Sequence, residues 1–231
     1  MKKVEFDKFA EEYVATHRNN IRFSGESPEF FADYKIKDMA GVLEGRQRTD
    51  TILDFGGGIG TSVPYVRRYF PKALITCLDV SDRSLAIARE NFAHEAEFVS
   101  FDGTNIPFEA STFDLAFAAC VFHHIKPDCH LPLLRKLARV IKPGGWLFVF
   151  EHNPLNPFTR YAVNTCPFDT NAVLISGFQM QRLFKATGFG KVTLQYRVFF
   201  PGFLSILRGL ERSLGWLPLG GQYYVCGQRV G

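Results

Sequence analysis

Four glycines within five positions constrain this chain more than any other feature: Gly56-Gly57-Gly58-Ile59-Gly60, entered from Thr51-Ile52-Leu53-Asp54-Phe55. An apolar run that ends in a carboxylate, breaks into glycine and continues into a helix-compatible stretch from Thr61 to Phe70 reads as strand, tight turn and helix start. Such a turn brings backbone N–H groups and a helix N-terminus to a ligand. Glycine is required because a Cβ would block either the left-handed turn or the approach of the ligand. Phosphate is the first ligand such a loop suggests, but the spacing argues against it. A dinucleotide loop places a third glycine where this chain has Thr61, and no Gly-Lys pair followed by Ser or Thr is present for a nucleotide triphosphate.

Two further strands repeat the pattern of an acidic residue at the strand end. Ala73 to Leu78 runs into Asp79, which lies 21 residues after Gly58, a distance suited to a carboxylate that accepts ribose hydroxyls. Ser81-Asp82 caps a helix to about Phe92, and Glu97 to Phe101 runs into Asp102-Gly103. A fourth strand, Leu115 to Val121, leads to Phe122-His123-His124-Ile125. An amphipathic helix from Leu131 to Ile141 is stopped by Lys142-Pro143-Gly144-Gly145, and a fifth strand, Trp146 to Phe150, ends in Glu151-His152. Strands that alternate with helices to residue 150 predict a parallel sheet covered on both faces, with ligands gathered at the carboxyl ends of the strands.

Asp54-x-Gly56-x-Gly58-x-Gly60 resembles motif I of the class I S-adenosylmethionine-dependent methyltransferases. Pro107-Phe108, the run Phe113-Asp-Leu-Ala-Phe117, and Arg139-Val-Ile-Lys-Pro-Gly-Gly145 resemble the same family. The likeness covers about residues 50–150 strongly and the flanks loosely. It implies an α/β, Rossmann-like, seven-stranded and mostly parallel sheet of order 3-2-1-4-5-7-6, with the last strand antiparallel, helices on both faces and an N-terminal helical lid. The expected division is a lid at 1–45, a cofactor-binding core at 46–152, and a substrate-side segment with the C-terminal strands at 153–231. The implied cofactor is S-adenosyl-L-methionine. Its implied contacts are Asp54, Gly56, Gly57, Gly58, Asp79, Val80, Asp102, Gly103 and Ala119, with Asp102 on the adenine amino group and Lys35 on the cofactor carboxylate. Tyr13, His17 and Tyr34 are the other polar groups that the two lid helices, Val4 to His17 and Pro28 to Leu43, would offer.

Methyl transfer from a sulfonium leaves the protein to position a nucleophile and control its proton. For a hydroxyl acceptor the natural base is histidine, so His124, His123 and His152 are the candidate catalytic residues, with Glu151 placed to orient a histidine or bind substrate. No metal is assigned: His123, His124, Cys129 and His130 cluster, but without the spacing of a zinc motif. A net charge of +4 with no run of Lys or Arg speaks against nucleic acid as the partner. Five scattered cysteines without a C-x-x-C pair, no apolar leader and no apolar run of transmembrane length suggest a cytoplasmic protein, and the family resemblance implies a small-molecule acceptor. Two other readings are a nucleotide-dependent oxidoreductase, disfavoured by Thr61, and a methyltransferase-like binding module without turnover.

The remaining expectations concern the C-terminal flank. Two Asn-Pro steps make Asn153 to Asp169 a long irregular segment beside the strand ends. A helix from Ser176 to Thr187, a strand from Lys191 to Phe200 and a final strand from Gln222 to Val230 follow. Between those strands Gly202 to Leu214 reads as an inserted helix with Phe203, Leu204, Ile206, Leu207, Leu210 and Leu214 on one face. Such a face calls for a partner, either the protein's own helices, a second copy in a homodimer, or a weak membrane contact through 198–217.

Overall fold

The computed structural model describes residues 25–46 and 48–231, apart from the side chain of Phe168. The predicted helix from Val4 to His17, with Tyr13 and His17, lies outside the described residues.

Seven strands form one sheet in the order β3-β2-β1-β4-β5-β7-β6, the order the family resemblance implies. They are β1 (Thr51–Phe55), β2 (Leu74–Asp79), β3 (Glu97–Ser100), β4 (Phe113–Ala119), β5 (Ile141–His152), β6 (Phe189–Arg197) and β7 (Gln222–Arg229). β1 to β5 pair in parallel, and β7 runs antiparallel between β5 and β6. Among the described residues seven α-helices surround it: α1 (Pro28–Leu43), α2 (Val63–Tyr69), α3 (Asp82–Phe92), α4 (Pro127–Val140), α5 (Pro157–Thr165), α6 (Gly177–Ala186) and α7 (Glu211–Leu214).

Alternation along the strands divides the core. Leu53 and Phe55 of β1, with Leu147 and Val149 of β5, pack against Leu133, Leu134 and Leu137 of α4 and against Met180 and Phe184 of α6. On the other face Ile52, Phe117 and Phe148 meet Ile36, Met39 and Leu43 of α1, Val63 and Val66 of α2, and Leu85 and Ala88 of α3. Helix α1 begins where expected, with Pro28 in its first turn and the Ser27 hydroxyl accepting from Phe30 N. It is not a free lid. Ile36, Met39 and Leu43 are core side chains, each worth roughly 1.5–3 kcal/mol when buried. The Asp38 carboxylate grips the Arg197 guanidinium of β6 through two bonds of 2.6 and 2.7 Å, and the Tyr34 hydroxyl bonds Gln222 of β7.

Several boundaries differ from the sequence reading for local reasons. β4 stops at Ala119, because Cys120 takes φ +59° and its successors Val121 and Phe122 donate to Glu151 instead of to a strand. Residues 153–169 are not irregular. The Asn156 side chain accepts from Thr159 N, Pro157 opens the first turn, and α5 follows with a 3-10 turn at Pro167–Asp169. Ser176 and Gln179 form a reciprocal cap for α6. The insertion is a kinked 3-10 helix, Gly202–Leu210, continued by α7, and none of its residues is buried. Its base is held by the Glu211 carboxylate, which accepts from Val198 N, Phe199 N and Phe200 N.

Candidate active site

Strand register brings the candidate residues to one edge of the sheet. Phe55 of β1 is level with Leu78 of β2 and Ala118 of β4, and Ala119 is level with Phe150 of β5. The glycine loop, Asp79, residues 120–124 and Glu151-His152 therefore leave the sheet side by side. Gly56 packs so closely on the turn after β4 that a Cβ there would lie 2.4 Å from Val121 Cγ2.

Within the loop the glycines have different tasks. A Cβ at Gly57 would meet Cys77, and one at Gly60 would meet Phe92, each at 2.9 Å. Gly58, with φ +52°, faces open space, and its N–H donates to Asp79 Oδ2 at 2.9 Å. Ser81 N donates to the other Asp79 oxygen at 2.8 Å, so the carboxylate is fixed at the lip of the loop. Asp54 does something else. It is buried below the loop, where the Ser62 hydroxyl donates to it and ties the strand end to the start of α2. Burial raises its pKa to about 7, the Ser62 bond opposing and the Asp79 charge adding.

Asp102 follows β3 on the surface. Asn105 N, Thr104 N and the Asn105 side chain all donate to it, and these bonds hold its carboxyl below the usual range. Gly103 at φ +79° and the buried Val80 stand beside one another, and Ala119 ends β4. Lys35 lies over the rings of Tyr34 and Phe31, at 5.3 and 5.8 Å from their centroids. Its charge is felt by Cys120 and His152 at the ends of β4 and β5.

Those ends carry a cluster of three histidines and two carboxylates. Glu151, fully buried, accepts from Val121 N at 2.9 Å and Phe122 N at 2.7 Å, and meets His123 Nδ1 at 2.6 Å. The opposite ring nitrogen of His123 is 3.3 Å from Asp169 Oδ1, and His124 Nε2 is 3.5 Å from the same oxygen. His152 packs against His123 with ring centroids 5.2 Å apart. Burial opposes a charge on His123, yet Glu151 and Asp169 outweigh it and lift its pKa well above the ordinary value. Burial and then the neighbouring His123 charge push His124 and His152 down to about 4, which keeps both rings neutral near pH 7. His124 is the more accessible of the adjacent pair, its side chain 16% exposed against 1% for His123.

The structure thus brings His123, His124 and His152 together and gives Glu151 the orienting role open to it in the sequence. Asp169 is the residue sequence reasoning missed. The signal for it was its place in the long segment beside the strand ends. Cys129 and His130 leave the cluster: Cys129 is exposed, and His130 Nε2 faces the carbonyls of Phe122 and Ile125 at 3.0 and 2.9 Å.

Residues 52–145 match the methyltransferase domain family. Those residues carry a methyltransferase domain, similar to the class I S-adenosylmethionine-dependent methyltransferases. A malonyl-[acyl-carrier protein] O-methyltransferase of Marinomonas sp. (strain MWYL1) is 31% identical over 130 residues, 54% of this chain and 47% of the relative. The mitochondrial 2-methoxy-6-polyprenyl-1,4-benzoquinol methylase of Caenorhabditis elegans is 28% identical over 129 residues, 50% and 44% of the two chains. The chain thus spans a little under half the length of these two relatives. In fold it is similar to a SAM-dependent methyltransferase from Archaeoglobus fulgidus, with a TM-score of 0.67 at 12% identity over 87% of this chain and 95% of that one. The cofactor of the domain is S-adenosylmethionine. The residues fit it: Gly58 leaves an open face where a side chain would stand, and Asp79 is fixed beside it.

Proposed function

We propose that the protein methylates a hydroxyl group of an apolar small molecule, with His124 as the general base. The carrying observation is the cluster at the ends of β4 and β5, adjoining the glycine loop through the Gly56–Val121 contact. S-adenosylmethionine, when bound, supplies an electrophilic methyl group. Gly58 and Asp79 bind the donor, while Glu151 and Asp169 fix His123 and so set the floor on which His124 rests. The acceptor oxygen takes the methyl group as His124 takes its proton. An absent third loop glycine at Thr61 continues to speak against a nicotinamide nucleotide.

An apolar acceptor is supported by the exposed apolar side chains of the C-terminal flank. Phe158 and Tyr161 of α5 and Phe203, Ile206 and Trp216 of the insertion are exposed, Ile206 at 90% and Phe203 at 80%. Asn153 Nδ2 donates to the carbonyls of Pro218 and Gly220, which stitches the start of this flank to its end. No helix among the described residues is long and apolar enough to cross a membrane, so we read this surface as a weak peripheral contact with the lipid that carries the acceptor.

The test is transfer of labelled methyl from S-adenosylmethionine to a polyprenyl benzoquinol and to simpler hydroxylated lipids in detergent. An O-methyl product from the parent, lost in His124→Ala with donor affinity intact, supports the reading. A C-methyl product, or full turnover in that variant, refutes it. Flotation with liposomes tests the surface: the parent should float and the Phe203→Asp/Leu207→Asp double variant should not. A dimer in solution that the double variant splits would assign the surface to a second copy instead.

A further inference from the structure

We propose that His123, His152 and Asp169 form a mononuclear site for a borderline transition-metal dication such as Zn2+, its open positions facing the acceptor. One ligand atom from each residue lies within 4.8 Å of the other two. The His123 Nε2 to Asp169 Oδ1 separation of 3.3 Å already matches the ~3.4 Å edge of a tetrahedron with bonds of about 2.0–2.1 Å. Two imidazoles and one carboxylate are the donor set that suits zinc, iron or cobalt, and three protein ligands leave room for water or substrate. Magnesium and calcium, which prefer all-oxygen shells, fit poorly.

The surroundings are those of a built site. A metal-bound histidine usually hands its other ring nitrogen to a carboxylate, which fixes the ring and its tautomer. His123 does so with Glu151 at 2.6 Å, and Glu151 is in turn held by two backbone N–H groups. With Nδ1 so engaged, only Nε2 remains for a ligand, and it is the atom turned to Asp169. Asp169 is tethered as well: its own N–H donates to Cys166 O at 3.0 Å, and Val173 N donates to His123 O at 2.8 Å, so the strap carrying Asp169 is fastened to the residue it faces. His124 stays outside the ligand set, beside the cation. A dication there would hold the acceptor oxygen and make its proton easier to remove. That role rests on the methyl-transfer reading; the binding itself does not.

The experiment is calorimetric titration of chelator-treated protein with Zn2+, repeated with Co2+ and read by visible absorption. The expected result is one equivalent bound, with a cobalt spectrum free of thiolate charge transfer. His152→Ala and Asp169→Asn should each weaken binding at least 100-fold. Glu151→Gln should weaken it about 10–100-fold through His123. Cys129→Ser should change nothing. S-adenosylmethionine is titrated into every variant as the measure of folding and of the donor site. Donor binding without any Zn2+ binding overturns the metal site and leaves the methyltransferase reading standing. Metal binding that survives both ligand variants also overturns it. Metal binding without donor binding keeps the site and refutes the reading instead.

Discussion

The two halves of the strand-end edge are built on different principles. The donor half, β1 to β3, works through backbone: a glycine loop whose N–H groups and open face are shaped by the absence of side chains, trimmed by carboxylates that bond to nearby amides. The acceptor half, β4 and β5 with the segment after them, works through side chains drawn from residues 123 to 169. A backbone site tolerates little variation and recognises one ligand. A side-chain site can be rebuilt by changing a few residues, so it is where chemistry and specificity are set. The two meet at the Gly56–Val121 contact, but they should fail separately.

The largest expected effect is on the donor half. Gly58→Val places a branched side chain at a left-handed position and fills the open face, so donor affinity should fall beyond detection in calorimetry while the fold persists. Next comes the acceptor half: His124→Ala should cut turnover by roughly 10²–10⁴ with donor affinity within a factor of two or so of the parent. Asp79→Ala should weaken donor binding by about 1.5–3 kcal/mol, the worth of a hydrogen bond to a charged group. Loss of turnover without loss of donor affinity in that variant would blur the division.

The smallest effect is one of pH. Asp54 titrates near 7 in the fold and near its ordinary value when unfolded, so the fold holds a proton there that the open chain has lost. Its contribution to stability is fully present below about pH 4 and is lost as pH rises through 7. His124 and His152, pushed down to about 4, act the other way, adding stability as pH rises from there to their ordinary value. The difference between the parent and Asp54→Asn in denaturant melts isolates the aspartate. The parent should lose ground to the variant between about pH 4 and 7, by at least ~1.4 kcal/mol, the worth of one pH unit. Parallel pH curves would place Asp54 outside this account.

How much of this was legible in the sequence follows from the same division. The strand ends and the donor loop were readable because each strand announces its end locally, with Asp54-Phe-Gly, Asp79-Val-Ser or Asp102-Gly within a few residues, while the sheet order came with the family resemblance. The histidine pair was visible for the same reason. Its partner Asp169 was not, because their meeting depends on α5, which the two Asn-Pro steps disguised as irregular chain until Asn156 capped it. The apolar pattern of the insertion was legible, but its 3-10 form was not, since a kink at Leu204 and the Glu211 carboxylate on three backbone amides decide it. Helix α1 was placed correctly from Ser27-Pro28, and the structure adds that its Ile36, Met39 and Leu43 belong to the core.

The most direct test of separate donor and acceptor halves is a single calorimetric series: S-adenosylmethionine titrated into the parent, Gly58→Val and His124→Ala under one set of conditions. The account predicts binding to the parent and to His124→Ala alike, and none to Gly58→Val. Equal binding by all three proteins, or loss in His124→Ala as complete as in Gly58→Val, would contradict it.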